Sequence, residues 1–215
     1  MNALKILGLL CSFTFLARAA PTPEKSADPE FKSHIGRAKS LVEKVLGYIS
    51  AVHQSCVSTE GLTIDPSGHP RNSQYHSMVI SLGIPKAPEL GTTCRSLNQN
   101  NLPLEACLSS MSAGLQLYQD VLGVLVLKVT SADKVKELQA DIRDLLAQVN
   151  KMKGPGQTGS AAQYQASALS ARLQGDYEVQ VASHFTLLHL RDFTQDLKRS
   201  LRNIENLSSK SIQKA

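Results

Sequence analysis

Glu137, Asp141, Asp144 and Gln148 recur at spacings of four, three and four, which on a helix places them on one stripe. Carboxylates so spaced offer two kinds of chemistry. They can trade protons as a general acid and base, or accept charge-assisted hydrogen bonds from Arg or Lys of a partner. Acid–base work needs a cleft and a perturbed pKa, and a surface stripe offers neither. No catalytic residue is assigned, and binding is left beside a plainer reading, a solvated face paired internally with Arg143 or Lys151. Earlier in the chain Arg37 and Lys44 lie seven apart on one side of an apolar stripe, with Glu43 close by.

The remaining reactive residues point away from enzymes and metals. The six His are scattered, and no CxxC or HxxxH pairing marks a zinc site. P-loop, GxSxG and dinucleotide motifs are absent, and no cofactor is expected. His184 reads as a residue that packs or hydrogen-bonds at the surface of a bundle. Cys94 and Cys107 are close in sequence and flank a polar linker and the start of a helical pattern, so they form the natural disulfide. Cys56 is then left over, as a buried or half-buried free thiol on an apolar face or as one end of an intermolecular bridge. Asn206-Leu207-Ser208 is an N-glycosylation sequon. Lys198, Arg199, Arg202, Lys210 and Lys214 make the C-terminal end basic, a feature that suits either a polyanion or a solvated tail.

Four amphipathic segments must position these residues. Ile35, Ala38, Val42, Val45, Ile49, Val52 and Cys56 recur by threes and fours, predicting a helix over about 33–56. Leu104, Leu108, Met111, Leu115, Tyr118, Leu122 and Leu125 predict a second over about 103–126, opened by Pro103. Val135, Leu138, Ile142, Leu145, Val149 and Met152 predict a third over about 133–152, stopped by Gly154-Pro155-Gly156. The fourth carries Val181, Phe185, Leu188, Phe193, Leu197, Leu201 and Ile204 over about 165–206, its start open between Ala162 and Tyr177, with a slip after Leu188 that Leu190 fills.

Period-two alternation is missing, so the class is all-α, and four such stripes bury one another in a four-helix bundle. The linker between the second and third segments is too short to return along a helix of ~36 Å, which sets those two antiparallel. Long first and last linkers favour an up-up-down-down order.

Residues 1–19 read as a signal peptide, with Lys5, an apolar stretch from Ile6 to Leu16, and Ala17 and Ala19 placed for cleavage. The apolar run is shorter than the ~20 residues that span a bilayer. Losing Lys5 and Arg18 lowers the basic count from 23 to 21 against 18 acidic residues. That is an ordinary soluble surface, with no reason to expect nucleic acid or membrane insertion. Residues 20–215 then read as one secreted domain.

Ser81-Leu82-Gly83-Ile84-Pro85, Ala87-Pro88, Cys94, Cys107-Leu108-Ser109, Gly114-Leu115 and Leu117-Tyr118-Gln119 together resemble the granulocyte colony-stimulating factor family of long-chain four-helix cytokines. Leu138-Gln139 with Asp141 and Asp144, and Val181-Ala182-Ser183-His184, extend the resemblance over roughly 78–200. It implies a secreted haematopoietic cytokine that pairs a class I cytokine receptor on myeloid cells. It also implies a main contact built from the first and third helices, and so from Arg37, Glu43, Lys44, Glu137, Asp141, Asp144 and Gln148. The family pattern has two disulfides, and this chain keeps the partners of the second alone. The family's second contact, near the start of the fourth helix and the first long linker, has no matching anchors here, and Tyr177 is named for it as a guess only. A different class, a secreted helix-bundle carrier of lipid or a small apolar ligand, fits the same periodicity.

Overall fold

The computed structural model describes residues 29–64, 76–95, 104–153 and 166–212. The signal segment, Pro103, Gly154-Pro155-Gly156 and Lys214 lie outside them. The described residues form helices joined by turns and irregular segments and contain no strand: α1 (Pro29–Cys56), α2 (His76–Leu82), α3 (Leu90–Arg95), α4 (Leu104–Val126), α5 (Ala132–Lys153), α6 (Ala166–Arg172) and α7 (Asp176–Ile212). They pack together as a helical bundle. The fold class read from the sequence is therefore observed.

The apolar stripes meet as their spacing requires. Ile35, Ala38, Val42, Val45, Ile49 and Val52 of α1 are all buried, as are Leu138, Ile142, Leu145, Val149 and Met152 of α5. Pro29 opens α1 in the first turn, where a missing N–H costs nothing, so the helix starts four residues earlier than the apolar spacing alone indicates. Interhelical hydrogen bonds give the directions. From α1 to α5, His34 meets Gln148, Lys44 meets Asp141 and Tyr48 meets Glu137, one number rising as the other falls. From α1 to α7, Lys39 meets Glu205 and His53 meets His184. From α4 to α5, Ser112 donates to Asn150, and Gln139 donates to the Gln119 carbonyl. These pairings run α1 and α4 one way, and α5 and α7 the other.

Three features depart from the sequence reading. The fourth segment is two helices, α6 and α7, broken at Leu173–Gly175, with Leu173 buried as an anchor. At the break Val179 donates to the Gly175 carbonyl, and the Glu178 carboxylate lies over Gly175 as a third-position acid does at a helix start. Between α1 and α4 the chain forms α2 and α3, each too short to produce an amphipathic pattern. The slip in α7 is real only as a stripe, since Leu187, Leu188 and Leu190 are all buried. There α7 packs against α1, α2, α3 and α4, so its buried arc is wider than one side.

The Ser81–Pro85 segment has a structural role. Gly83 takes φ of 62°, its N–H bonds the Ile80 carbonyl, and the Ile84 N–H bonds the Val79 carbonyl. This is a Schellman ending, with buried Ile84 as its apolar residue. Cys94 on α3 and Cys107 on α4 are joined by a disulfide, Cα to Cα 5.0 Å, and Cys56 is free and half-buried.

Candidate functional site

The seam between α1 and α5 gathers most of the polar residues singled out in the sequence. On α1, residues 34, 37, 41, 44 and 48 are spaced by threes and fours and share the side toward α5. Lys44 Nζ donates to Asp141 Oδ1 at 2.7 Å, and the Tyr48 hydroxyl donates to Glu137 Oε2 at 2.6 Å. Gln148 Oε1 accepts from His34 Nδ1 at 2.9 Å. The bond to Asp141, with its charge and those of Glu137 and Asp144, raises the Lys44 pKa above its usual value although burial opposes it. The Glu137 hydrogen bond chiefly, with some burial, pushes the Tyr48 phenol up to about 12. The result is a ladder of oriented donors and acceptors along two helices.

Asp141 corrects the sequence reading. It does not stand clear of the core: it is 5% exposed, Lys44 covers it, and its Oδ2 makes no hydrogen bond. On the helix it falls one step from Leu138 and Leu145, and α1 widens the buried arc to include it. Asp144 is exposed and lies 3.3 Å from Arg143, the internal pairing weighed from the sequence. Glu137 and Arg37 are exposed. Glu43 turns away from this seam, because it sits 100° from Lys44 on the helix, and ion-pairs with Lys198 of α7 at 2.6 Å.

Tyr48 and His34 were missed by sequence reasoning. Their spacing from Lys44 and Arg37 was the available signal, at four and three residues. His184 is also corrected: it is fully buried, not at the surface, and touches His53. Asn206 is exposed on α7, while Ser208 of the same sequon is buried and donates to the Glu205 carbonyl. In the basic C-terminal end, Lys198 and Arg199 are paired with Glu43 and Asp196. Tyr177 is 42% exposed.

Among the described residues no group of three or more His, Cys, Asp or Glu is placed to hold a metal, and no helix is long and apolar enough to cross a membrane. The disulfide fits an oxidising compartment. No family model matches the chain. It is similar to the myelomonocytic growth factor of Gallus gallus, with 23% identity over 190 residues that cover 87% of this chain and 89% of that protein. A likeness spanning nearly all of both chains, on an all-helical bundle with a disulfide, supports a distant kinship with the cytokines.

Proposed function

We propose that this chain is a secreted growth factor of the granulocyte colony-stimulating factor type, which binds and pairs a class I cytokine receptor on myeloid cells through the α1–α5 seam. It would drive their proliferation, differentiation and survival in immune responses. The observation that carries this reading is the ladder itself. Lys44, Tyr48 and His34 hold Asp141, Glu137 and Gln148 in fixed positions before any partner arrives. Pre-set side chains lose less entropy on binding, and they set register and association rate with a charged partner. Arg37 and Asp144 beside the ladder and Glu137 within it are exposed and are assigned the direct contacts. Asp141 and Lys44 are assigned to support them. Glu43, drawn to α7 by Lys198, is not assigned a contact.

Growth-factor naming of the relative supports the class of activity. Under this reading residues 1–19 are removed on secretion and a glycan on Asn206 would project from the exposed side of α7. Titration of the mature protein against the ectodomain of the granulocyte colony-stimulating factor receptor, with proliferation of myeloid progenitors in parallel, tests the proposal. Saturable binding and growth are expected. A protein that binds no receptor and carries lipid from its host through purification would favour the carrier reading instead.

A further inference from the structure

Two imidazoles meet inside the bundle, away from the α1–α5 seam. His53, near the C-terminal end of α1, and His184, in the buried part of α7, touch Nε2 to Nδ1 at 2.8 Å. Their rings stand edge to face with centroids 5.1 Å apart, and the residues are 6% and 0% exposed. An N···N hydrogen bond takes one proton between its two nitrogens. Protonating both rings puts two N–H groups head to head, and two charges close together where little water screens them. We propose that this pair is an acid-sensitive clasp, which ties the end of α1 to α7 near neutral pH and releases it on acidification.

The surroundings favour the neutral rings. On α7, His189 and Arg191 act on His184, and the Phe185 ring lies against it at 4.9 Å. From the segment before α3, the Pro85 carbonyl faces His189 Nδ1 at 3.4 Å with Lys86 beside it, while Asp192 is a counter-charge to His189. From α5, Lys134 acts on Cys56, one turn beyond His53. From α4, the Tyr118 phenol packs on Phe193 and is raised chiefly by burial. Burial first, then the His53, Arg191 and His189 charges, pulls His184 down to about 4, and burial lowers His53 and His189 as well. Because these folded values lie below the unfolded one of ~6.5, the stabilisation is complete above that pH and is lost as pH falls through it toward 4.

What the clasp holds is visible one turn away. Gln180 Oε1 accepts from the backbone N–H and hydroxyl groups of both Ser58 and Thr59, at 2.8 to 3.2 Å. Gln180 and His184 are one turn apart on α7, so both fasten the exit of α1 and the residues that follow it. Opening the His pair frees that corner first. Compartments at about pH 5 to 6, where a cell-bound ligand is carried on uptake, lie in the working range.

The test compares the mature protein with His53→Gln/His184→Asn, in which the NH2 of one side-chain amide donates to the oxygen of the other and neither group titrates. Urea unfolding is followed at pH 7.5 and 5.0, with amide hydrogen exchange of residues 52–64 and NMR titration of the His rings. From His184 alone, the parent's unfolding constant should rise roughly 30-fold between the two pH values. The variant's rise should be smaller by about that factor, and in the parent residues 52–64 should lose protection before the rest of α1. Equal pH profiles for the two proteins would overturn the clasp. So would rings that titrate near 6.5 without loss of protection, a result read on the parent alone even if the variant fails to fold.

Discussion

Lys44 and Asp141 share one ion pair but carry unequal burdens. The ammonium side chain is 54% exposed and the carboxylate 7%. Removing the cation leaves an anion in a low-dielectric place, whereas removing the anion leaves a cation that water can reach. Lys44→Ala should therefore lower the melting temperature more than Asp141→Ala does, and Asp141→Lys should cost more than the ~0.5 kcal/mol usual for surface changes. Differential scanning calorimetry of the three variants checks this order. Tyr48 adds a pH test. Its folded value of about 12 lies above the ordinary 10, so the stabilisation it brings is whole below pH 10 and is lost as pH rises through about 12. Tyr48→Phe should remove one late-titrating phenol from the absorbance titration at 295 nm. Neither partnership was legible in the sequence. Spacing places a residue on a helix, but which neighbour covers it depends on the packing of another helix.

At the scale of elements, α1, α4 and α5 were legible because their apolar residues repeat for five or more turns. The short α2 and α3 were not, since six or seven residues cannot establish a period. The break between α6 and α7 was missed because Leu173 keeps the apolar character going through it. Gly83 and Gly114 carry costs that composition does not reveal. Gly83 combines positive φ with the Arg172 guanidinium packed against it, and Arg172 also donates to the Leu82 carbonyl at 3.3 Å. Gly83→Ala should destabilise by ~1 to 2 kcal/mol. A Cβ on Gly114 would meet the Phe193 ring, which packs beside Tyr118 between α4 and α7. Gly114→Ala should cost ~1 to 3 kcal/mol through overpacking. The disulfide closes a loop of 13 residues' separation between α3 and α4, and Cys94→Ala/Cys107→Ala should cost ~3 kcal/mol. Urea unfolding curves measure all three.

At the scale of the molecule, linker lengths foretold that α4 and α5 are antiparallel, and the residue pairs along the seams agree. The same sequence could not say that Glu43 would turn to α7 while Lys44 turned to α5, though a receptor would meet the two on different faces. The α1–α5 seam is thus narrower than its sequence stripe, with Arg37, Glu137 and Asp144 as the exposed charges assigned to the contact. Its role is tested most directly by Arg37→Glu/Asp144→Lys, titrated against the receptor ectodomain beside Lys136→Glu on the outer side of α5. Melting should stay within the range of surface changes for both proteins. Losing contacts of charged groups at an interface costs ~2 to 5 kcal/mol, so the double variant should bind at least tens of times more weakly while Lys136→Glu binds like the parent. A folded double variant that binds with the parent's affinity would contradict the assignment of the α1–α5 seam as the receptor contact.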